Sequence, residues 1–161
     1  MIEIDVEDVA VIDADPVAVR RAILDETAGT THWWSPHCQA MPRGEIPSDQ
    51  VGGMYDVVVR SGITLRFTAK VVEITATNLR VGIIGGAYRG EGTWSFQPED
   101  RKTRLMYRWK VRPTGWLNWL LSLSPSRAKE AKEHHAVMVA GFAGLNRYFH
   151  RLEPRERGGA Q

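Results

Sequence analysis

The chain has 161 residues and a formal net charge of +2, which predicts one domain and argues against a nucleic-acid partner. Its single cysteine, Cys38, excludes an internal disulfide framework. No run of about 18 apolar residues is present to span a bilayer, and the acidic start MIEIDVEDVAVIDAD is neither a signal nor a transit peptide, so a cytoplasmic location is expected.

Residues 2–12 set Ile2, Ile4 and Val6 against Glu3, Asp5 and Glu7, a strand with one wet face. Asp15-Pro16 reads as a helix cap and first helical residue. A helix should run to about Asp25, with Val19, Ala22 and Ile23 inward, until Gly29 breaks it. Thr31–Trp34 is a second short helix or turn, closed by Ser35-Pro36. Residues 36–52 hold three prolines and two glycines; a strand over Cys38–Met41 and then a loop are expected.

From Tyr55 to Val111 the apolar period becomes two. Tyr55, Val57 and Val59 share a face, as do Ile63, Leu65, Phe67, Ala69 and Val71. Leu79, Val81 and Ile83 follow, then Tyr88, Gly90, Gly92, Trp94 and Phe96, then Leu105, Tyr107, Trp109 and Val111. Turn signals at Ser61-Gly62, Thr77-Asn78, Gly85-Gly86 and Pro98–Asp100 separate them. This is an antiparallel meander with one solvated side. Gly90 and Gly92 fall on its inner face, where glycine lets a strand bend or another body approach. Arg66, Arg89, Arg104, Arg108, Lys110 and Arg112, interspersed with Asp56 and Glu91, read as the wet face rather than a site for an anionic partner.

Residues 114–126 are strongly apolar, with Trp116, Leu117, Trp119, Leu120, Leu121 and Leu123. They form a lid, a membrane contact, a dimer contact or a plain cover for one end of the sheet. A final helix spans Arg127–Leu152, and Pro154 should end it, leaving 153–161 as a disordered tail beyond a domain of residues 1–152. At about 100° per residue, Met138, Phe142, Leu145 and Phe149 define its inner face. Ala131 falls about 10° from that direction, Arg127 about 30°, and His134 and His135 about 50° to either side. Lys129, Lys132, Glu133, Arg147 and Arg151 fall on the far side. The half around Ala131 is too thin to fill the concave sheet, so a cavity is expected there.

The order of these elements carries a resemblance. A strand leads into "IDADPVAVRRAILD", then "HWW", a meander containing "GEGTWSFQPEDRKTRLMYRWKV", the apolar "GWLNWLLSLSPSR", and a helix ending "LNRYFHRLE". This is similar to the SRPBCC superfamily, which includes START domains and the birch-pollen allergen, and most of all to its polyketide cyclase/dehydrase group. The likeness implies an α+β helix-grip fold: about seven antiparallel strands curved round a long C-terminal helix, with two short helices after the first strand. It implies a cavity between sheet and helix, guarded by the first helices and residues 113–126. It carries no catalytic motif.

Trp33, Tyr55, Phe67, Tyr88, Trp94, Tyr107, Trp109, Ala131, His134, His135, Met138 and Phe142 are expected to bind the ligand. Each aromatic residue is equally readable as core. His134 and His135 are the candidates for acid/base chemistry; alternatively both flank the apolar stripe and reach solvent. His32, His37 and Cys38 are split by Pro36 and lack a second cluster, so no metal is expected, and no cofactor. The leading expectation is a carrier of a hydrophobic small molecule: a lipid, polyketide, isoprenoid or aromatic metabolite. The alternatives are a cyclase/dehydratase-like enzyme needing neither metal nor nucleotide cofactor, and an interaction module acting through residues 116–123. A weak homodimer is left open.

Overall fold

A computed structural model describes residues 2–158. The first strand, β1 (Ile4–Ile12), alternates as expected, and α1 (Pro16–Thr27) follows. Asp15 caps α1, its Oδ1 accepting the Ala18 N–H at 3.0 Å, with Pro16 as the first helical residue. Val19, Ala22 and Ile23 are buried beneath it. No second helix forms over Thr31–Trp34: Thr31 and His32 are irregular, and a turn covers residues 33–37. The Glu26 carboxylate accepts the N–H groups of Trp33 and Trp34 and the Thr31 hydroxyl, so a side chain satisfies the donors that would otherwise seek helical carbonyls.

The strands β2 (Cys38–Arg43), β3 (Met54–Ser61), β4 (Ile63–Ile74), β5 (Asn78–Gly86), β6 (Tyr88–Glu99) and β7 (Lys102–Pro113) form a meander. β2 extends two residues past the expected Met41. Pro42 is tolerated because β2 is an edge strand, where one missing N–H breaks no second ladder. The sheet order is β1-β7-β6-β5-β4-β3-β2, antiparallel throughout. Register shifts between Thr68 and Ala69 and between Val71 and Glu73 interrupt the β4–β5 ladder, and such irregularities deepen the curl of a sheet. Asp100 and Arg101 both take positive φ in the two-residue β6–β7 turn, which suits the twist of a tight hairpin.

On β7, Thr103, Leu105, Tyr107, Trp109 and Val111 point inward and are buried, while Arg104, Arg108, Lys110 and Arg112 face out. Arg108 pairs with Asp5 at 2.7 Å and Arg112 with Glu3 at 3.5 Å across the β1–β7 ladder. The outer arginines are thus the sheet's wet face.

The short helix α2 (Gly115–Leu121) tucks Leu117 and Leu121 into the core and leaves Trp116 and Trp119 exposed. The long helix α3 (Ser124–Gly158) starts three residues before the expected Arg127. It also continues past Pro154, where the sequence predicts a stop; the long helix already formed ahead of that point propagates cooperatively. Residues 159–161 of the expected tail lie outside the described residues. Met138, Phe142 and Leu145 of α3 belong with Ile12, Phe96 and Leu105 to one continuous core. Among the described residues no helix is long and apolar enough to cross a membrane.

Candidate functional site

A cavity of about 120 Å³ lies between the concave face of the sheet and the first half of α3. Its walls are aliphatic side chains of the central strands, among them Val57, Val59, Leu65, Val81 and Ile83, and a chain of aromatic rings. Trp33 stacks on Trp34 at 5.5 Å, and Trp34 meets Trp94 edge-on at 6.0 Å. Trp94 lies 4.2 Å from Tyr107. Phe67, Tyr88 and Trp109 form a second group, with centroids 5.2–6.2 Å apart. Gly92 makes room for the first group: a Cβ there would lie 2.6 Å from the Tyr107 hydroxyl. The rim carries Ser61 and Ile63 from the β3–β4 turn and Glu133 from α3, all partly exposed.

Nine expected residues line this space: Trp33, Tyr55, Phe67, Tyr88, Trp94, Tyr107, Trp109, His134 and Met138. Three do not. Ala131 and His135 are exposed, and Phe142 is buried in the core away from the cavity. The α3 residues that face the cavity are Glu130, Glu133, His134, Val137 and Met138, an i, i+3, i+4, i+7, i+8 stripe. Its direction is rotated roughly 80° from that of Met138, Phe142, Leu145 and Phe149, counted at about 100° per residue. The helix crosses a curved, twisted sheet, so the side turned toward the strands drifts along its length. A lid was one of the readings left open for residues 116–123. No residue of 116–123 lines the cavity; α2 covers the end of the sheet and turns its tryptophans to solvent.

Polar groups enter at two places. Asp8 is buried on β1, with Oδ1 2.6 Å from His135 Nδ1 and Oδ2 3.3 Å from His134 Nδ1. The His134 ring lies nearly parallel to Tyr107 and Trp109, 6.5 and 6.0 Å away. Burial holds His134 below the ordinary histidine value, against the pull of the Asp8 charge. His134 is therefore neutral at pH 7, and Asp8 favours the tautomer protonated on Nδ1, leaving Nε2 as the acceptor nitrogen.

At the second place the Tyr88 hydroxyl donates to Glu130 Oε1 at 2.5 Å. Burial raises the Glu130 carboxyl above its usual range, opposed by the Tyr88 hydrogen bond and reinforced by the charge of Glu133. Burial also raises Glu26, despite its three donors. It pushes the Cys38 thiol up to about 12, so this cysteine is not a thiolate nucleophile. Tyr55 and Tyr107 are raised by the same cause. Among the described residues no group of three or more His, Cys, Asp or Glu side chains is arranged to hold a metal ion.

No family model matches the sequence, and no curated protein matches it. Solved structures do. The Zhui aromatase/cyclase from Streptomyces sp. R1128 superposes with a TM-score of 0.73 at 15% identity, over 93% of this chain and 95% of that one. A Thermus thermophilus protein, TTHA0849, gives 0.68 at 20% identity over 89% and 95%. Ara h 8.0201 gives 0.62 at 13% identity over 91% and 97%. The chain has the helix-grip fold that these structures share.

Within this helix-grip frame, the residues missed by sequence reasoning left partial signals. Asp8 falls in phase with Ile2, Ile4, Val6, Ala10 and Ile12, so it is the one charge on the apolar side of β1. That break in the alternation was readable. Glu130, Glu133 and His134 recur at helical spacing, but only knowledge of where the sheet lies under α3 separates their face from that of Ala131. Trp34 gave no signal that set it apart from Trp33. Its Nε1 donates to the Val137 carbonyl at 2.9 Å, a contact 103 residues away in sequence.

Proposed function

We propose that this chain binds a small hydrophobic molecule whose buried part is about the size of an aromatic ring. One observation supports this most: an apolar, ring-lined cavity opens to solvent where a core of this fold could have been solid. Its volume of about 120 Å³ compares with the ~150 Å³ apolar cavity that takes up benzene. A ligand larger than that extends through the rim at Ser61 and Ile63. Among the classes expected from sequence, an aromatic or cyclised polyketide-like body suits the space better than a long acyl chain. Apolar burial supplies the affinity. Tyr55 and Tyr107, each more than nine-tenths buried, line the space and carry hydroxyls that can orient the ligand.

The test is a titration of tryptophan fluorescence with neutral aromatic compounds, since Trp34, Trp94 and Trp109 line the site. Saturable binding is expected in the wild type and lost in Val59→Phe, which fills the cavity. Equal binding by both proteins rules the proposal out.

A second reading, a cyclase/dehydratase-like enzyme, is favoured by one feature: the Asp8 carboxylate beside His134 prepares a neutral imidazole on the cavity wall. Nε2 would take a proton from an acidic carbon of the ligand and return it to a departing hydroxyl. The TM-score of 0.73 to an aromatase/cyclase is consistent with such chemistry. If His134→Ala keeps ligand affinity but abolishes conversion of a reactive polyketone, this reading stands; if conversion persists, it falls.

A further inference from the structure

We infer that the ligand carries a positive charge: the site takes a protonated amine attached to a small aromatic or aliphatic body. This rests on the binding reading above and names the chemistry of one end of the ligand. The residues lining the cavity include three carboxylates, on Glu26, Glu130 and Glu133, and neither lysine nor arginine. Glu26 is occupied internally, its oxygens accepting from Thr31, Trp33 and Trp34. Glu130 and Glu133 are different. They stand one turn apart on α3, both toward the cavity. Glu130 receives the Tyr88 hydroxyl on one oxygen only, and no cation pairs with it among the described residues. Lys129 approaches Glu133 at 3.7 Å from the solvent side and is itself largely exposed, a contact of little worth.

The same end of the cavity holds Phe67, Tyr88 and Trp109, three rings in mutual contact at 5.2–6.2 Å. Ring faces attract cations, most strongly where water is excluded. Glu130, with no cation partner among the described residues, and Glu133, met only by the exposed Lys129, beside an aromatic cage form an electrostatically incomplete pocket, and an ammonium group completes both parts. It would take the free oxygen of Glu130, share Glu133, and sit against the rings. A ligand hydroxyl would satisfy an acceptor without relieving the repulsion between the two carboxylates. The deep end suits the body of the ligand, since aliphatic side chains such as Val57, Leu65 and Val81 and the largely buried rings of Tyr55 and Tyr107 line the cavity.

The experiment compares four probes on the intact protein by isothermal titration calorimetry: 2-phenylethylamine, 2-phenylethanol, propylbenzene and 3-phenylpropionate. They share a ring and a chain and differ in the terminal group. The amine is expected to bind roughly tenfold or more tighter than the alcohol or the hydrocarbon, as a desolvated charge-assisted contact with cation–π support allows. The phenylpropionate is expected to bind worst. Glu130→Gln combined with Glu133→Gln should bring the amine to within about threefold of the hydrocarbon, because the remaining aromatic contribution is small. Alcohol or hydrocarbon binding as tightly as the amine to the wild type overturns the charge inference while the hydrophobic-ligand proposal survives. Failure of all four probes to bind overturns both. The wild-type series decides the matter even if the double variant does not fold.

Discussion

Asp8 and His134 show how one residue changes the meaning of another. An isolated histidine at the edge of an apolar stripe is most simply a satisfied surface group. Placed 3.3 Å from a buried carboxylate and parallel to two aromatic rings, it becomes a neutral imidazole with a set tautomer. The direction of its shift fixes a sign for stability. Because burial depresses His134 in the folded state, the unfolded chain binds more protons in the interval below the ordinary value of 6.5. The His134 contribution is complete above that value and is lost as the pH falls through the interval. NMR titration of the His134 ring should therefore give a midpoint below 6.5. Asp8→Asn should move the midpoint lower still, since the carboxylate charge is the principal influence opposing burial. An upward movement in Asp8→Asn contradicts the arrangement. At this scale the sequence was half legible. Alternation placed Tyr88, Trp94, Tyr107 and Trp109 on the inner face of the sheet, where each read equally well as core. Glu130 was not legible, because a carboxylate on a helix reads as solvated until the sheet beneath it is known.

At the scale of elements, α3 depends on two glycines. A Cβ on Gly144 would stand 2.0 Å from the Trp33 carbonyl oxygen, and one on Gly141 2.5 Å from the Trp34 ring. Alanine favours a helix interior over glycine by about 1 kcal/mol. Overpacking against backbone costs about 1–3 kcal/mol. Gly144→Ala should therefore destabilise the protein in urea denaturation despite its better propensity; a rise in the midpoint would show that α3 can slide away from the turn. The element α2 makes the opposite point. Trp119, at 70% exposed, contributes little to stability, whereas Leu117 is 1% exposed. Leu117→Ala should cost about 2–5 kcal/mol, while Trp119→Ala should stay within about 0.5 kcal/mol. Equal effects would mean the tryptophan is covered in solution. The meander and its turns were legible because period-two alternation and Gly or Asn turn signals act locally. The rotation of the α3 face was not, because it depends on sheet curvature, a property of no single segment.

For the molecule as a whole, a binding cavity and a stable core are alternative uses of the same volume. The lower half of the grip is solid around Leu105, Leu145 and Phe96, each no more than 1% exposed, and the upper half is hollow. A ligand that fills the hollow binds only the folded state, so it must raise stability. At 100 times its dissociation constant the gain is about 2.7 kcal/mol, or roughly 5–10 °C in melting temperature for a chain of this size. Differential scanning fluorimetry with the tightest of the phenyl probes checks this, and an unchanged melting curve at saturation contradicts it. The fold was legible from element order across almost the whole chain. The polar end of the cavity was not, because it is assembled from Glu130 and Glu133 of α3 and three rings contributed by β4, β6 and β7.

The place of β1 beside β7 has a consequence during synthesis. Ile4 to Ile12 leave the ribosome about a hundred residues before their partner strand is finished, a delay on the order of 5–20 s at ordinary elongation rates. Throughout that wait a ribbon of alternating aliphatic residues has an unpaired backbone, the arrangement by which nascent chains zip to one another. Its solvent side carries Glu3, Asp5 and Glu7, so two such ribbons from neighbouring polysomes repel. Once β7 is made, its Arg108 and Arg112 pair with Asp5 and Glu3 and neutralise that charge. Acidic β1 and basic β7 thus give the chain's first and last strands opposite charges on the face they share with solvent.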